Sequence, residues 1–247
     1  MQKTKIDWCD STWNPVTGCY HTCEYCYARG IATRFGGKVN PKCTNILELD
    51  NPFVEDGKIK PYPLGFMPTL HRYRMDEYKN KKGRNIFVCS MADLFGEWVP
   101  DSWIEEVFEA CKKAPQHNYI FLTKNPGRYV ELFAEGKLPE DNNFWYGSTA
   151  TGPDDVFWWS DSHKTFVSIE PILHPFDEVG DGAVKKVDWV IIGAETGRRK
   201  DKVVPEREWI ESLVNDCRRT GIPVFMKSSL ADIWKEPLIQ EFPDELE

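Results

Sequence analysis

No run of about 18 apolar residues occurs in the 247-residue chain, so no helix long enough to cross a membrane is expected. Positive charge is scarce. Lys and Arg number 31 against 39 Asp and Glu, a formal net charge of −8 with a pI near 5.3. A chain held on nucleic acid by phosphate neutralisation would show the opposite balance, unless a local basic patch supplied it. The opening MQKTKIDWCDS lacks the apolar core of a secretory leader, so the cytoplasm is the expected compartment. Repeats and low-complexity tracts are missing. So is any second C-x-x-C pair, because Cys43, Cys89, Cys111 and Cys217 have no paired spacing. In a reducing compartment eight cysteines read as metal ligands, reactive thiols or small buried residues, not as a disulfide framework.

What is present suits one α/β domain over residues 1–247, since 41% hydrophobic and 13% aromatic residues can fill a sizeable core. Apolar runs at 85–91, 118–124, 143–151, 165–173, 187–195 and 222–228 read as buried parallel strands. A further strand within 5–17 brings the count to roughly seven. Residues 100–114 place Trp103, Val107, Phe108 and Cys111 on one helical stripe, with Asp101 or Ser102 as the cap. A shorter helix is expected at 125–137. Residues 205–221 align Trp209, Ile210, Leu213, Val214 and Cys217, with Gly221 as the stop. Right-handed crossovers would bring the carboxyl ends of the strands to one rim. The residues there are polar: Ser90, Asp93, Lys124, Ser148, Thr149, Ser168, Glu170, Glu195 and Lys227. That repetition favours a binding site over ordinary strand ends. Residues 36–84, rich in Pro, Gly and charge, break the alternation and read as an insertion or lid. Its basic end (Arg72, Arg74, Lys79, Lys81, Lys82, Arg84) is either a solvated face or a surface for an anionic substrate.

The densest chemical signal is GCYHTCEYCYA, which packs Cys19, Cys23 and Cys26 into eight residues. Structural zinc wants four ligands, and here a fourth would have to be His21, Cys9 or Cys43. A thioredoxin-like pair would use Cys23 and Cys26 and leave Cys19 unexplained. An iron–sulfur cubane held by three thiolates would keep one iron open for a ligand.

CYHTCEYC resembles the signature of the radical S-adenosylmethionine (radical SAM) superfamily, C-x3-C-x-aromatic-C after the first barrel strand. The wider segment resembles a phage- and bacteria-encoded branch of mostly unassigned substrate, distantly similar to the spore photoproduct lyase type. Members commonly show W-N-P-x-x-G-C, NSMSDLF, LTK-x-P, VIxGxE(T/S)G and FFK. The counterparts here are WNPVTGC, CSMADLF, LTKNP, VIIGAETG and FMK, spread over residues 6–228. Cys9 stands where relatives often have Thr, and Cys89 where Asn is common.

The resemblance implies a partial (β/α) TIM-like barrel of six to seven parallel strands, with the insertion after its first helix. It implies a radical SAM enzyme whose Cys19, Cys23 and Cys26 hold a [4Fe–4S] cluster. S-adenosylmethionine would occupy the fourth iron and be cleaved to a 5′-deoxyadenosyl radical that takes hydrogen from a substrate. That substrate is a nucleotide, a nucleic acid, a small molecule or a peptide, and the electron donor is a flavodoxin or ferredoxin. By the same resemblance Lys124 pairs with the cofactor carboxylate, and Ser90 and Asp93 accept its ammonium. Ser148 and Thr149 meet the ribose hydroxyls. Ser168, Glu170, Gly193 and Glu195 hold ribose or adenine, and Tyr25 shields the cluster or packs on a cofactor ring. Asn14 and Lys227 face the substrate, or Lys227 is a solvent-facing rim residue. Cys89 is either a small buried thiol or a hydrogen-atom donor, as in the DNA-repair lyases. The reading from a different class is a zinc-stabilised binding module without catalysis.

Overall fold

The structure, a computed structural model, describes residues 4–37, 47–176, 186–197 and 199–247. Cys43, with residues 38–46 of the expected insertion, lies outside them. In chain order the elements are β1 (Ser11–Trp13), β2 (Val16–Thr17), α1 (Tyr27–Arg34), β3 (Leu47–Leu49), β4 (Val54–Glu55), β5 (Lys58–Ile59) and β6 (Thr69–His71). They continue as β7 (Asn85–Val88), α2 (Asp101–Lys112), β8 (Asn118–Thr123), α3 (Gly127–Ala134), β9 (Phe144–Ala150) and β10 (Lys164–Ile169). The last are β11 (Trp189–Ile192), α4 (Arg207–Thr220), β12 (Val224–Met226) and α5 (Ala231–Trp234).

Seven strands form one curled, all-parallel sheet in the order β1-β7-β8-β9-β10-β11-β12, a half-barrel. Strand residues alternate between its two faces. Phe87, Ile120, Trp145, Phe166, Trp189, Ile191 and Phe225 point inward and pack with Trp8 and Leu246. Their neighbours point outward. Ile86, Val88, Phe121, Phe144 and Tyr146 meet Trp103, Val107, Phe108 and Cys111 of α2 and Tyr129 and Leu132 of α3. Val167, Ile169, Val190, Ile192, Val224 and Met226 meet Ile210, Leu213, Val214 and Cys217 of α4. Gly147 sits in the inner layer, where a Cβ would lie 2.2 Å from the Phe166 ring. Its missing side chain lets that ring fill the interior.

The helix stops and starts follow local chemistry. Gly221 ends α4 at φ 73°, the left-handed conformation glycine reaches without strain. The expected cap of α2 is corrected: Pro100 occupies the cap position, and Asp101 instead pairs with Arg128 and Lys137. Between β9 and β10 the connection carries no helix.

Residues 47–84 are organised rather than structureless. β6 pairs antiparallel with β2 and parallel with β3. The Trp13 indole donates to the Arg74 carbonyl at 2.9 Å, and the Tyr78 hydroxyl to Thr12 O at 2.8 Å. The three arginines of the basic end are spent on the fold, whereas Lys79, Lys81 and Lys82 are exposed. Arg72 pairs with Glu48 and Glu106, Arg74 donates to the Asn14 and Pro61 carbonyls, and Arg84 donates to Ser11 Oγ. At the opposite end of the sheet the tail closes the base. Asn85 and Asn118 side chains donate to the Leu246 and Glu245 carbonyls, and the Trp189 indole donates to Glu241 O. No helix among the described residues is long and apolar enough to cross a membrane.

Candidate functional site

A cavity of about 620 Å³ opens where the strands end at their carboxyl termini. Inward-facing rim positions line it: Lys124 after β8, Thr149 on β9, Glu170 after β10 and Lys227 after β12. One layer deeper lie Leu122 and Ser168. Tyr62 and Phe66 of the 36–84 segment form part of its wall. None of Arg72, Arg74, Lys79, Lys81, Lys82 or Arg84 lines it, so the basic stretch does not face this site.

Cys19, Cys23 and Cys26 all line the cavity as free, half-buried thiols. The loop that carries them is entered through Gly18, at φ 90°, where a Cβ would stand 2.2 Å from the Met67 carbonyl oxygen. Only a residue without a side chain passes there. Gly18 N donates to Met91 O at 2.9 Å and Cys19 N to Phe66 O at 3.1 Å. The loop is thus stitched to the end of β7 and to the insertion. It leaves through Cys26, which caps α1: its Sγ accepts from Arg29 N at 3.4 Å. Cys19 Sγ accepts from His21 N at 3.4 Å. Burial pushes the Cys19 thiol up to about 12. A bound metal cation acts the other way and favours the thiolate.

His21 and Asp93 fix this loop against the sheet. Asp93 Oδ2 lies 2.7 Å from His21 Nε2 and accepts from Lys124 N at 2.9 Å. Its Oδ1 accepts from Thr123 Oγ1 at 2.7 Å and Phe95 N at 3.0 Å. Four partners occupy this buried carboxylate, so Asp93 positions the loop; it has no free edge for a ligand's ammonium. Ser90 and Asn14 both line the cavity and bond each other, Ser90 Oγ donating to Asn14 Oδ1 at 3.2 Å. Lys124 Nζ donates to the Tyr25 hydroxyl at 3.0 Å. Burial lowers the Lys124 ammonium from the usual lysine range, and the surrounding acidic groups oppose that.

Three expected site residues do not line the cavity. Cys89 is 2% exposed, lies in the outer core and has φ 60°, which breaks the alternation that would have turned it inward. Burial pushes its thiol up to about 12. Ser148 neighbours Thr149 and so faces the other way, where its Oγ accepts from Trp158 N. Gly193 makes room for side chains, not for a ligand: a Cβ there would lie 3.0 Å from Lys227 Cδ and 3.4 Å from Glu170 Cγ. Glu170 and Lys227 pair across this gap. Glu195 lines the cavity but is held by Arg199 at 2.7 Å, which also reaches Glu24 of the cysteine loop at 3.2 Å. Cys9 packs half-buried against the inner core, and burial pushes its thiol up to about 12.

Sequence reasoning missed Asp7 and Trp8, which line the cavity floor. They precede every strand, and no spacing flags them. Their unmet polar atoms and that of Ser168 are informative. Nine buried side-chain N or O atoms lack a partner among the described residues. Asp7 Oδ1, Trp8 Nε1 and Ser168 Oγ belong to residues that line the cavity. Leaving such an atom unpaired costs about 1–3 kcal/mol.

The donor set on this loop is three thiols. No three His, Cys, Asp or Glu side chains among the described residues converge on one point. A cubane presents separate corners, so its thiolates need not converge, and thiolates are the ligands such clusters take.

The family described as "Protein of unknown function (DUF5131)" matches residues 3–235. No curated protein and no solved structure matches the chain.

Proposed function

The chain belongs to the DUF5131 family, and from its own residues we propose that it is a radical SAM enzyme on a TIM-like half-barrel. One observation carries the reading. Three free thiols on a single loop border a cavity at the carboxyl ends of parallel strands, which is where such folds keep their chemistry. Cys19, Cys23 and Cys26 would hold a [4Fe–4S] cluster. The chemistry it supplies when bound is one-electron cleavage of the S-adenosylmethionine sulfonium, giving methionine and a 5′-deoxyadenosyl radical that takes hydrogen from a substrate.

The chain's own residues bind, orient and keep water away. Lys124 offers the cofactor carboxylate a positive charge, and the Tyr25 hydroxyl holds that ammonium in place. Thr149 and Ser168 line the cavity and would offer hydroxyls to the ribose. Asp93, through His21 and the Lys124 backbone, keeps the cysteine loop and the cofactor lysine in one frame. Trp8, Phe87 and Leu122 make an apolar floor that shields a reactive intermediate from water. A flavodoxin or ferredoxin is the expected electron donor.

Anaerobic reconstitution with iron and sulfide is expected to load about four irons per chain. Reduction with S-adenosylmethionine present should then release 5′-deoxyadenosine. Cys26→Ser should lose the visible absorbance of the cluster while keeping the helical circular dichroism, because Ser caps α1 as Cys26 does. One zinc per chain with no deoxyadenosine refutes the reading and leaves the non-catalytic module.

A further inference from the structure

An exposed apolar stripe borders the cysteine loop. Cys26 caps α1, and Tyr27, Ile31 and Phe35 follow at every fourth position, so they share one side of the helix. All three are exposed, Tyr27 and Phe35 at 52% each. The helix is anchored by Ala28 and Ala32, which are buried with Met91. Tyr27 and Ile31 line the cavity, whereas Phe35 lies beyond it. Positive charge collects on the same helix. α1 holds Arg29 and Arg34 and no acidic residue. The Arg29 guanidinium lies 4.9 Å from the Phe66 ring centre, and that of Arg34 5.4 Å from the Phe35 ring centre. Among the described residues neither pairs with a carboxylate, unlike Arg72, Arg128, Arg199 and Arg207.

We propose that this face of α1 docks the electron donor, a small acidic one-electron carrier protein. The proposal rests on the enzyme reading for the reason to dock, and on the surface itself for the fit. Protein interfaces are enriched in aromatic residues and Arg and depleted in Lys, Glu, Asp and Ser. α1 has none of those four. A guanidinium resting on an aromatic ring keeps its charge while its outer N–H groups stay free for a partner's carboxylate. Charge selects both the partner and the face. The chain carries a net −8, so an acidic protein is repelled by most of it and drawn to a helix whose only charges are positive. The crest of the cysteine loop suits such a partner less, because Glu24 there is acidic and exposed. Exposed Lys79, Lys81 and Lys82 lie on a stretch that lines no part of the cavity. α1 joins unpaired positive charge, exposed apolar surface and a place in the chain directly after Cys26. A carrier docked there is oxidised by one electron, which the cluster accepts; no bond forms or breaks at the interface.

Calorimetry on the oxygen-free, reconstituted full chain tests this, with an acidic flavodoxin and an acidic ferredoxin as probes. One of them should bind, and more weakly as salt is raised, because exposed charges are screened. Arg34→Glu and Phe35→Ser should each weaken that binding at least about tenfold. Neither residue lines the cavity, and Phe35 closes α1 through its backbone N–H, so the helical circular dichroism should be kept. If one variant misfolds, the other carries the measurement. Deoxyadenosine release separates the docking face from the enzyme reading. Driven by dithionite, it should be the same in both variants as in the parent chain; driven by the carrier, it should fall in both. A parent chain that releases none with dithionite refutes the enzyme reading, while the binding data still report on the face. No binding of either carrier at millimolar concentration overturns the proposal, as does binding indifferent to both substitutions. An equal fall with dithionite also overturns it and gives the stripe to the cavity. Self-association of the parent chain that both variants lose does the same and gives it to a second copy.

Discussion

A single missing side chain sets the course of the cysteine loop. Gly18 combines a positive φ with a backbone carbonyl 2.2 Å from where a Cβ would be. Gly18→Ala should therefore destabilise the fold by about 2–4 kcal/mol, read as a lower urea midpoint. It should also lower the iron retained per folded chain, because the Gly18 and Cys19 amides anchor the loop on both sides. An unchanged midpoint would show that the loop re-routes freely. Gly193 does similar work at the other end, leaving room for Glu170 and Lys227 to meet over β11. Asp93 acts by satisfying four partners at once, joining the cysteine loop through His21 to the end of β8 through Thr123 and Lys124.

Among the elements, the small sheet of β2, β6 and β3 holds the insertion against the barrel, and buried His71 is its titratable centre. Its Nε2 lies 2.8 Å from Thr17 Oγ1. Burial first, and nearby Arg74 second, lower its pKa to about 3. Above pH 6.5 neither the folded nor the unfolded chain protonates this residue. Below it the unfolded chain takes up a proton that the fold refuses down to about pH 3, so stability falls as pH drops. The loss from this residue approaches about 1.4 kcal/mol per pH unit within that window. His71→Gln should flatten the dependence of the urea midpoint between pH 6.5 and 4.5; identical slopes would count against the burial argument. The large strands were legible because their apolar runs match sheet burial, and α2 and α4 because their stripes match helical spacing. Ser148 was misread because composition does not reveal which face of a strand a residue takes. Of the two readings of Cys89 the buried thiol is the one the structure fits, and nothing in CSMADLF announces the left-handed φ that turns it from the cavity. The basic stretch gave no sign in sequence that Glu48 and Glu106 would claim Arg72.

The whole molecule is an aromatic-filled half-barrel with polar chemistry at one end and the tail at the other. Trp145, Phe166 and Trp189 fill the interior, and Phe242 and Leu246 cover them from below. The parallel strands and their polar ends were readable from sequence, and so was the cysteine loop. The floor was not, because Asp7 and Trp8 reach it by long-range folding. Removing residues 241–247 should raise solvent exchange at the Trp145 and Trp189 indole protons and increase binding of a hydrophobic dye; exchange unchanged from the full chain would mean the tail seals nothing. The tail's carbonyls take hydrogen bonds from Asn85, Asn118 and Trp189, side chains near the start of three strands. A vessel corked at its foot fills and empties over its lip. Whatever enters the cavity would then leave by the doorway that Tyr62 and Phe66 flank, and two molecules would have to take turns in it.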